Sequence, residues 1–384
     1  MIVDWWSLPG PQGLVARICS EIRIGKNILL SLPDLFPDGL RKAVRESRDL
    51  RDLHWHSLTV SASEHRHPLD WLWEEFVFAD DHPGQMRSVE QLLSRDDLSG
   101  MVVWVDGLRP SCAGTLPAFL ERFSQVLNGI AVFKRSQLCC VVPLSTARSF
   151  SANVCCAVID SNSYVGTIDA LTFATTLIEE KAFVVLEAQV AASVIANIAL
   201  WDEEVAIALA QEPLETILCP MAWLKGWCRT KEWTAALTDD DLRHKGLLTV
   251  FGGELKLHSA VAAVREEAGE LDARVWRGQA GVLLPFIEER RRDLLEYFGD
   301  VIKLPFRTRF GEIVDAEDLE IGHLHSMFGR VHHIDADAQA LIRILREMRN
   351  KLAHFTPVDG RMIACREIRA FRSILWAGQR PEKT

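Results

Sequence analysis

The sequence predicts an α+β, multidomain chain in which an N-terminal α/β layer precedes a mainly helical region. Two patterns and the length carry this reading. Short apolar runs alternate with amphipathic stretches over residues 1–168, which favours a largely parallel sheet flanked by helices. From Ala170 onward long helical periods take over, with almost no strand signal. At 384 residues the chain exceeds a single core of roughly 150 residues. The implied division is 1–168, an α/β domain, 169–271, a helical middle region, and 272–384, a helical bundle.

The elements follow in order. Asn27–Pro33 is an apolar run closed by Pro, and Leu40–Glu46 is amphipathic behind Asp38-Gly39, giving strand, loop and helix. Leu53–Val60 alternates as a strand, Leu69–Phe76 and Ser88–Leu93 fit helices, and Met101–Asp106 is an apolar strand ending in an acid. A helix at Leu116–Leu127 and an apolar run at Leu138–Leu144 complete the layer. Leu171–Glu180, Phe183–Gln211, Leu214–Cys228 and Ser259–Glu270 read as helices punctuated by Pro213, Pro220 and Gly252-Gly253. The polar tail Gly378–Thr384 is expected to be loose.

Composition narrows the function classes. A hydrophobic share of 48% with 25% charged residues suits globular cores, and a net charge of -10 argues against a broad footprint on duplex DNA. Nine cysteines without CxxC or zinc-like spacing suit free buried thiols in a reducing cytoplasm. No secretory signal is visible at the N-terminus, and Ala182–Trp201, the most apolar stretch, carries Glu187, Gln189 and Asn197, so no membrane span is expected. His54, His56, His65 and His67 cluster in sequence, but no cysteine or second carboxylate is spaced to complete a shell, and no metal or cofactor is assigned.

The strand, loop and helix at 27–46, followed by a strand ending in Asp106, resemble a P-loop NTPase with its phosphate loop and Walker B strand. The stretch Pro33-Asp-Leu-Phe-Pro-Asp38-Gly39-Leu40 departs from that pattern. Two prolines remove amide donors, two aspartates repel phosphate, and the Lys and hydroxyl of a working loop are missing. A degenerate NTPase-like or regulatory domain is expected.

The chemistry-bearing motif lies near the C-terminus. Asp335–His354 reads as a helix with Ala338, Leu341, Ile342, Leu345, Met348 and Leu352 on one face, and its last turns carry Arg349-Asn-Lys-Leu-Ala-His354. Upstream, Asp272–Val301 is a long helix, and Glu317–Phe328 and Met362–Trp376 add two more. The last third of the chain thereby resembles the HEPN family, whose Arg-x4–6-His motif often has a polar residue after the Arg. Arg51 and His56 share the spacing but lack that context.

The resemblance implies a metal-independent endoribonuclease of toxin or anti-phage type with Arg349, Asn350 and His354 as catalytic residues. His354 suits proton transfer, Arg349 offers a fork to phosphate oxygens, and Asn350 can orient either. Arg349 and His354 stand about 140° apart on an ideal helix, so one helix does not easily focus both on one phosphate. The family pairs such domains, which implies a homo-oligomer or a partner subunit of a defence complex. Arg290, Arg291 and Arg292 are candidate contacts to an RNA backbone. The competing expectation is a noncatalytic HEPN-like scaffold in which the same helices bind a partner.

Overall fold

The computed structural model describes residues 4–60, 66–77, 87–108, 115–143, 147, 150, 152–161, 164–179, 181–309, 311–328 and 336–376. His65, Leu144, Glu180, Asp335 and the tail Gly378–Thr384 fall outside them. The chain divides into two compact units, one of Val3–Asp169 with Ala236–His258, the other chiefly of Ala170–Ala235 and Ser259–Thr384.

In the first unit β1 (Asn27–Ser31), β2 (His54–Thr59), β3 (Met101–Asp106), β4 (Gln137–Val142) and β5 (Cys156–Asp160) form an all-parallel sheet in the order β2-β3-β4-β1-β5. Period-two alternation decides which helices cover which face. Ile28, Leu30, Val102, Trp104 and Cys139 pack with α1 (Pro9–Arg23) and α2 (Leu40–Arg45). Leu29, Val103, Val105, Leu138 and Cys140 pack with α3 (Pro68–Phe76), α4 (Val89–Leu93) and α5 (Leu116–Asn128). Both faces of β1, β3 and β4 are covered, so these strands read as near-continuous apolar runs, whereas the edge strand β2 is largely exposed. The predicted parallel α/β layer is present; α1 and β5 were not foreseen.

The helical expectation for 170–271 misses a feature of the first unit. After the helix Asp239–His244 comes a two-stranded antiparallel hairpin, β6 (Leu248–Phe251) and β7 (Glu254–Leu257), turned by Gly252 and Gly253, both at positive φ. The glycine pair that punctuated the sequence is the hairpin turn itself.

Among the described residues the second unit is helical, apart from a short hairpin of β8 (Phe306–Thr308) and β9 (Gly311–Ile313). Its axis is the helix Ala268–Tyr297, which packs along Val185–Ala199. Gly278 permits the approach: a Cβ there would stand 2.8 Å from the Val194 Cα. Two expected long helices are broken. Leu200 at φ 58° and the N-cap Asp202 separate Val185–Ala199 from Glu203–Ala210, and Cys219-Pro220 separates Leu214–Leu218 from Met221–Thr230. The final expected helix is three short ones, Gly360–Ile363, Arg366–Arg369 and Phe371–Trp376. None of the described helices is long and apolar enough to cross a membrane.

Candidate functional site

The motif helix runs Ala336–Ala353 and buries Ala338, Leu341, Ile342, Leu345, Met348 and Leu352, the six apolar positions expected. At 100° per residue, these centre one face, and the opposite face carries Arg343, Arg346, Asn350 and, at the helix end, His354. All four are exposed. Asn350 and His354 are therefore neighbours one turn apart on the solvent side.

The helix end is held by the central helix. Trp276 Nε1 donates to the Leu352 carbonyl at 2.8 Å, and the ring of Phe355, a residue at φ 56°, lies 4.6 Å from that of Trp276. Buried Gln279 donates to the Val358 carbonyl and accepts from the Val358 amide, both at 2.6 Å. The turn bearing His354 is thus fixed on both sides by groups that sequence spacing did not reveal.

Arg349 points elsewhere. Its Nη2 donates to Glu320 Oε2 at 2.9 Å, at the edge of a cleft of about 230 Å³ that is also bordered by Glu288, Arg291, Glu317 and Asp318. Four carboxylates against two guanidiniums make this cleft formally acidic, which disfavours a phosphate inside it. Asn350 shares a face with His354, and Arg349 turns away from both; the 140° between Arg349 and His354 is the expected separation, whereas Asn350 was expected to orient either residue and stands beside His354 alone.

The arginine run does not form a strip. Consecutive helical positions point 100° apart, and each arginine meets a different environment. Arg291 is buried and donates to the carbonyls of Glu317 and Leu319 at 3.0 Å and to Glu288, which corrects its assignment as an RNA contact. Arg290 stacks 4.4 Å over the Phe371 ring and pairs with Asp293 at 3.2 Å. Only Arg292 of the three is exposed.

A group the sequence reading passed over sits beside the motif helix. His325, on the helix Ile321–Phe328, places Nδ1 3.5 Å from Arg346 Nη1. Partial burial, then Arg346 and Arg343, push its pKa below the usual histidine value. His325, Gln339 and Arg343 border a cavity of about 290 Å³. The sequence signal was present, since Arg343 and Arg346 are three residues apart on a polar face, but nothing in it tied them to His325.

In the first unit, ligands of open parallel sheets bind at carboxyl ends of strands where the connections change direction. The loop after β1 and the end of β3 meet that description. Asp106 Oδ1 accepts from Trp104 Nε1 at 2.9 Å, and Oδ2 pairs with Arg41 Nη1 at 3.3 Å. The amides of Asp34 and Leu35 donate to the carbonyls of His244 and Lys245, both at 3.0 Å, and the Leu32 amide to Val142. With Pro33 and Pro37 lacking donors, little of an amide nest remains. A guanidinium neutralises the acid beside which a nucleotide-bound cation would sit.

Among the histidines near β2, His56 Nε2 lies 2.6 Å from Glu75 Oε1, and His67 caps α3 by accepting from the Leu69 amide at 3.2 Å. No group of three or more metal-ligating side chains occurs among the described residues. The paired cysteines are interior: Cys139, Cys140, Cys155 and Cys156 are buried, and burial pushes the Cys156 thiol up to about 12. Of the other described cysteines, Cys19 and Cys228 are buried, Cys365 is half-buried and Cys219 is exposed, so the expected buried setting holds for most and not for Cys219. Neither a family model nor a curated protein matches this sequence.

Proposed function

We propose that the helical unit is a metal-independent endoribonuclease of HEPN type, acting in a toxin or anti-phage system and restrained by the N-terminal unit. The observation that carries it is the shared solvent face of Asn350 and His354, flanked by Arg343 and Arg346. An acid–base group, an amide, two cations and the carboxylate of Glu347 line one exposed stripe, which keeps a net positive charge and suits a single-stranded polyanion despite the chain's net charge of -10.

The reaction needs two proton-transfer groups. The ribose 2′-hydroxyl loses its proton to one imidazole as its oxygen attacks phosphorus. The P–O5′ bond breaks, and the 5′-oxygen takes a proton from a second imidazole, leaving a 2′,3′-cyclic phosphate and a 5′-hydroxyl. Two copies with apposed motif helices supply one His354 each, and guanidiniums stabilise the charge that develops at phosphorus. Self-association is therefore part of the proposal.

The test is cleavage of cellular RNA by the full chain in EDTA. His354→Ala is expected to lower the rate about 10²–10⁴-fold while the protein stays folded. Arg51→Ala and His56→Ala, from the decoy pair, leave the rate unchanged. Wild-type protein with no cleavage beyond the His354→Ala level sinks the enzyme reading. A noncatalytic scaffold is the second reading, favoured by the Arg349–Glu320 pair. Light scattering that finds only monomer leaves the active site dependent on another chain.

A further inference from the structure

The exposed face of the motif helix continues toward its N-terminus beyond the residues that resemble a family motif. Arg343 and Arg346 lie one turn apart there, with the exposed Glu347 on the same face, and no carboxylate of the described residues comes within ion-pair distance of either guanidinium. Arg349, Arg366 and Arg369 are each matched to an acid, and Arg291 is matched to an acid and carbonyls. In a chain with excess acid, two arginines without acid partners facing one way mark a local positive potential.

The helix Ile321–Phe328 adds a second side to this patch. His325 Nδ1 faces Arg346 Nη1 at 3.5 Å, and a neutral imidazole can accept from that guanidinium and hold it in place. Burial and the two arginines push the pKa of this histidine down, so at neutral pH it adds no third positive charge to the two guanidiniums. A cavity of about 290 Å³ lies beside the pair, with Arg343 and His325 at its polar border and Phe328, Ala336, Ala340 and Ile342 forming its apolar wall.

We propose that Arg343 and Arg346, with His325 as the positioning residue for Arg346, form a subsite for a phosphodiester of single-stranded RNA that flanks the bond cleaved near His354. Arg346 and His354 are eight residues apart, about 12 Å along the helix, which places the subsite beside the reacting phosphate and not on it. The inference rests on the ribonuclease reading, yet binding and cleavage can fail separately.

The experiment uses the full chain and a fluorescein-labelled, 2′-O-methyl single-stranded RNA that cannot be cleaved, with anisotropy followed at rising salt. The Arg343→Ala/Arg346→Ala double variant should bind at least about tenfold more weakly, with the salt slope reduced by about 0.7, the contribution of one neutralised phosphate of a single strand. The double Lys variant should retain the slope, because charge sets it, and it controls for folding. His325→Ala should weaken binding less than the double variant does. An unchanged affinity and slope in the double Ala variant overturns the subsite, as does wild-type protein that binds no RNA. Competition by AMP as strong as by the RNA overturns the assignment to a strand. Wild-type protein that binds through these arginines yet cleaves nothing overturns the ribonuclease reading and leaves the subsite standing.

Discussion

Arg349 Nη2 donates to Glu320 Oε2 at 2.9 Å, so the first residue of the Arg-x4–6-His motif is committed to an acid outside its own helix. The side chains are 41% and 58% exposed, and an ion pair that open contributes about 0–1 kcal/mol. Breaking it to engage a phosphate costs little. Glu320→Ala is expected to shift stability by less than about 1 kcal/mol and to leave RNA cleavage unchanged or faster. Arg349→Ala is expected to slow cleavage about 10²-fold or more through lost charge at the phosphate. Equal rates for Arg349→Ala and wild type assign this arginine to the Glu320 contact alone.

The turn carrying His354 depends on Gln279, which is fully buried and bonded twice to the Val358 backbone. Gln279→Leu removes both bonds and leaves the Val358 amide and carbonyl buried without partners, at about 1–3 kcal/mol each. The expected loss is roughly 2–5 kcal/mol in urea unfolding, with cleavage falling because the His354 turn loosens. A loss below about 0.5 kcal/mol argues against the clamp.

The legible parts of this fold are those set by local periodicity. Met101–Asp106 was visible as a strand because both its faces are covered, and the six buried residues of the motif helix repeat at helical spacing. The breaks at Leu200 and Cys219-Pro220 lay inside apolar stretches whose pattern runs on. The hairpin at Leu248–Leu257 is too short for a strong alternation signal, and its place in the first unit depends on contacts distant in sequence. The same division applies to the site. The solvent face of Asn350 and His354 follows from counting residues, whereas the partners Glu320, Gln279 and His325 come from other helices or loops and no spacing rule announces them.

The closure of the crevice after β1 turns on Gly246. It has φ 74°, and a Cβ there would lie 2.9 Å from the Pro33 Cβ and 3.0 Å from the Leu35 carbonyl oxygen. Gly246→Ala combines a left-handed backbone cost of about 1–2 kcal/mol with a contact against the loop. It is expected to shift the His244-Lys245 corner and expose the Asp34 and Leu35 amides. Native-state hydrogen exchange reads this directly: both amides should be protected in wild type and exchange faster in the variant. Calorimetry with ATP and Mg²⁺ is expected to show no binding to wild type, because the amides and Asp106 are already engaged. A saturable heat of ATP binding removes the closed-crevice account.

The last prediction concerns the protonation of His325. Partial burial comes first among the causes that depress its pKa, followed by Arg346 and Arg343 on the facing helix. The imidazole should therefore stay neutral at pH 7 and take a proton only below the usual histidine range of about 6.5. The sign of the stability effect follows: once pH falls to the unfolded-state value the unfolded chain binds more of this proton than the folded chain does, so acidification from neutrality favours unfolding through this group. The contribution is complete above the unfolded-state value and is lost as pH falls through it toward the folded one. Arg346→Ala removes one opposing charge and should move the His325 titration, followed by NMR of the imidazole carbons, back toward 6.5, about the value of an unperturbed histidine. Burial should hold it partly depressed even then. A titration that does not move shows that Arg346 faces solvent and not His325, and the positioning role assigned to this histidine goes with it.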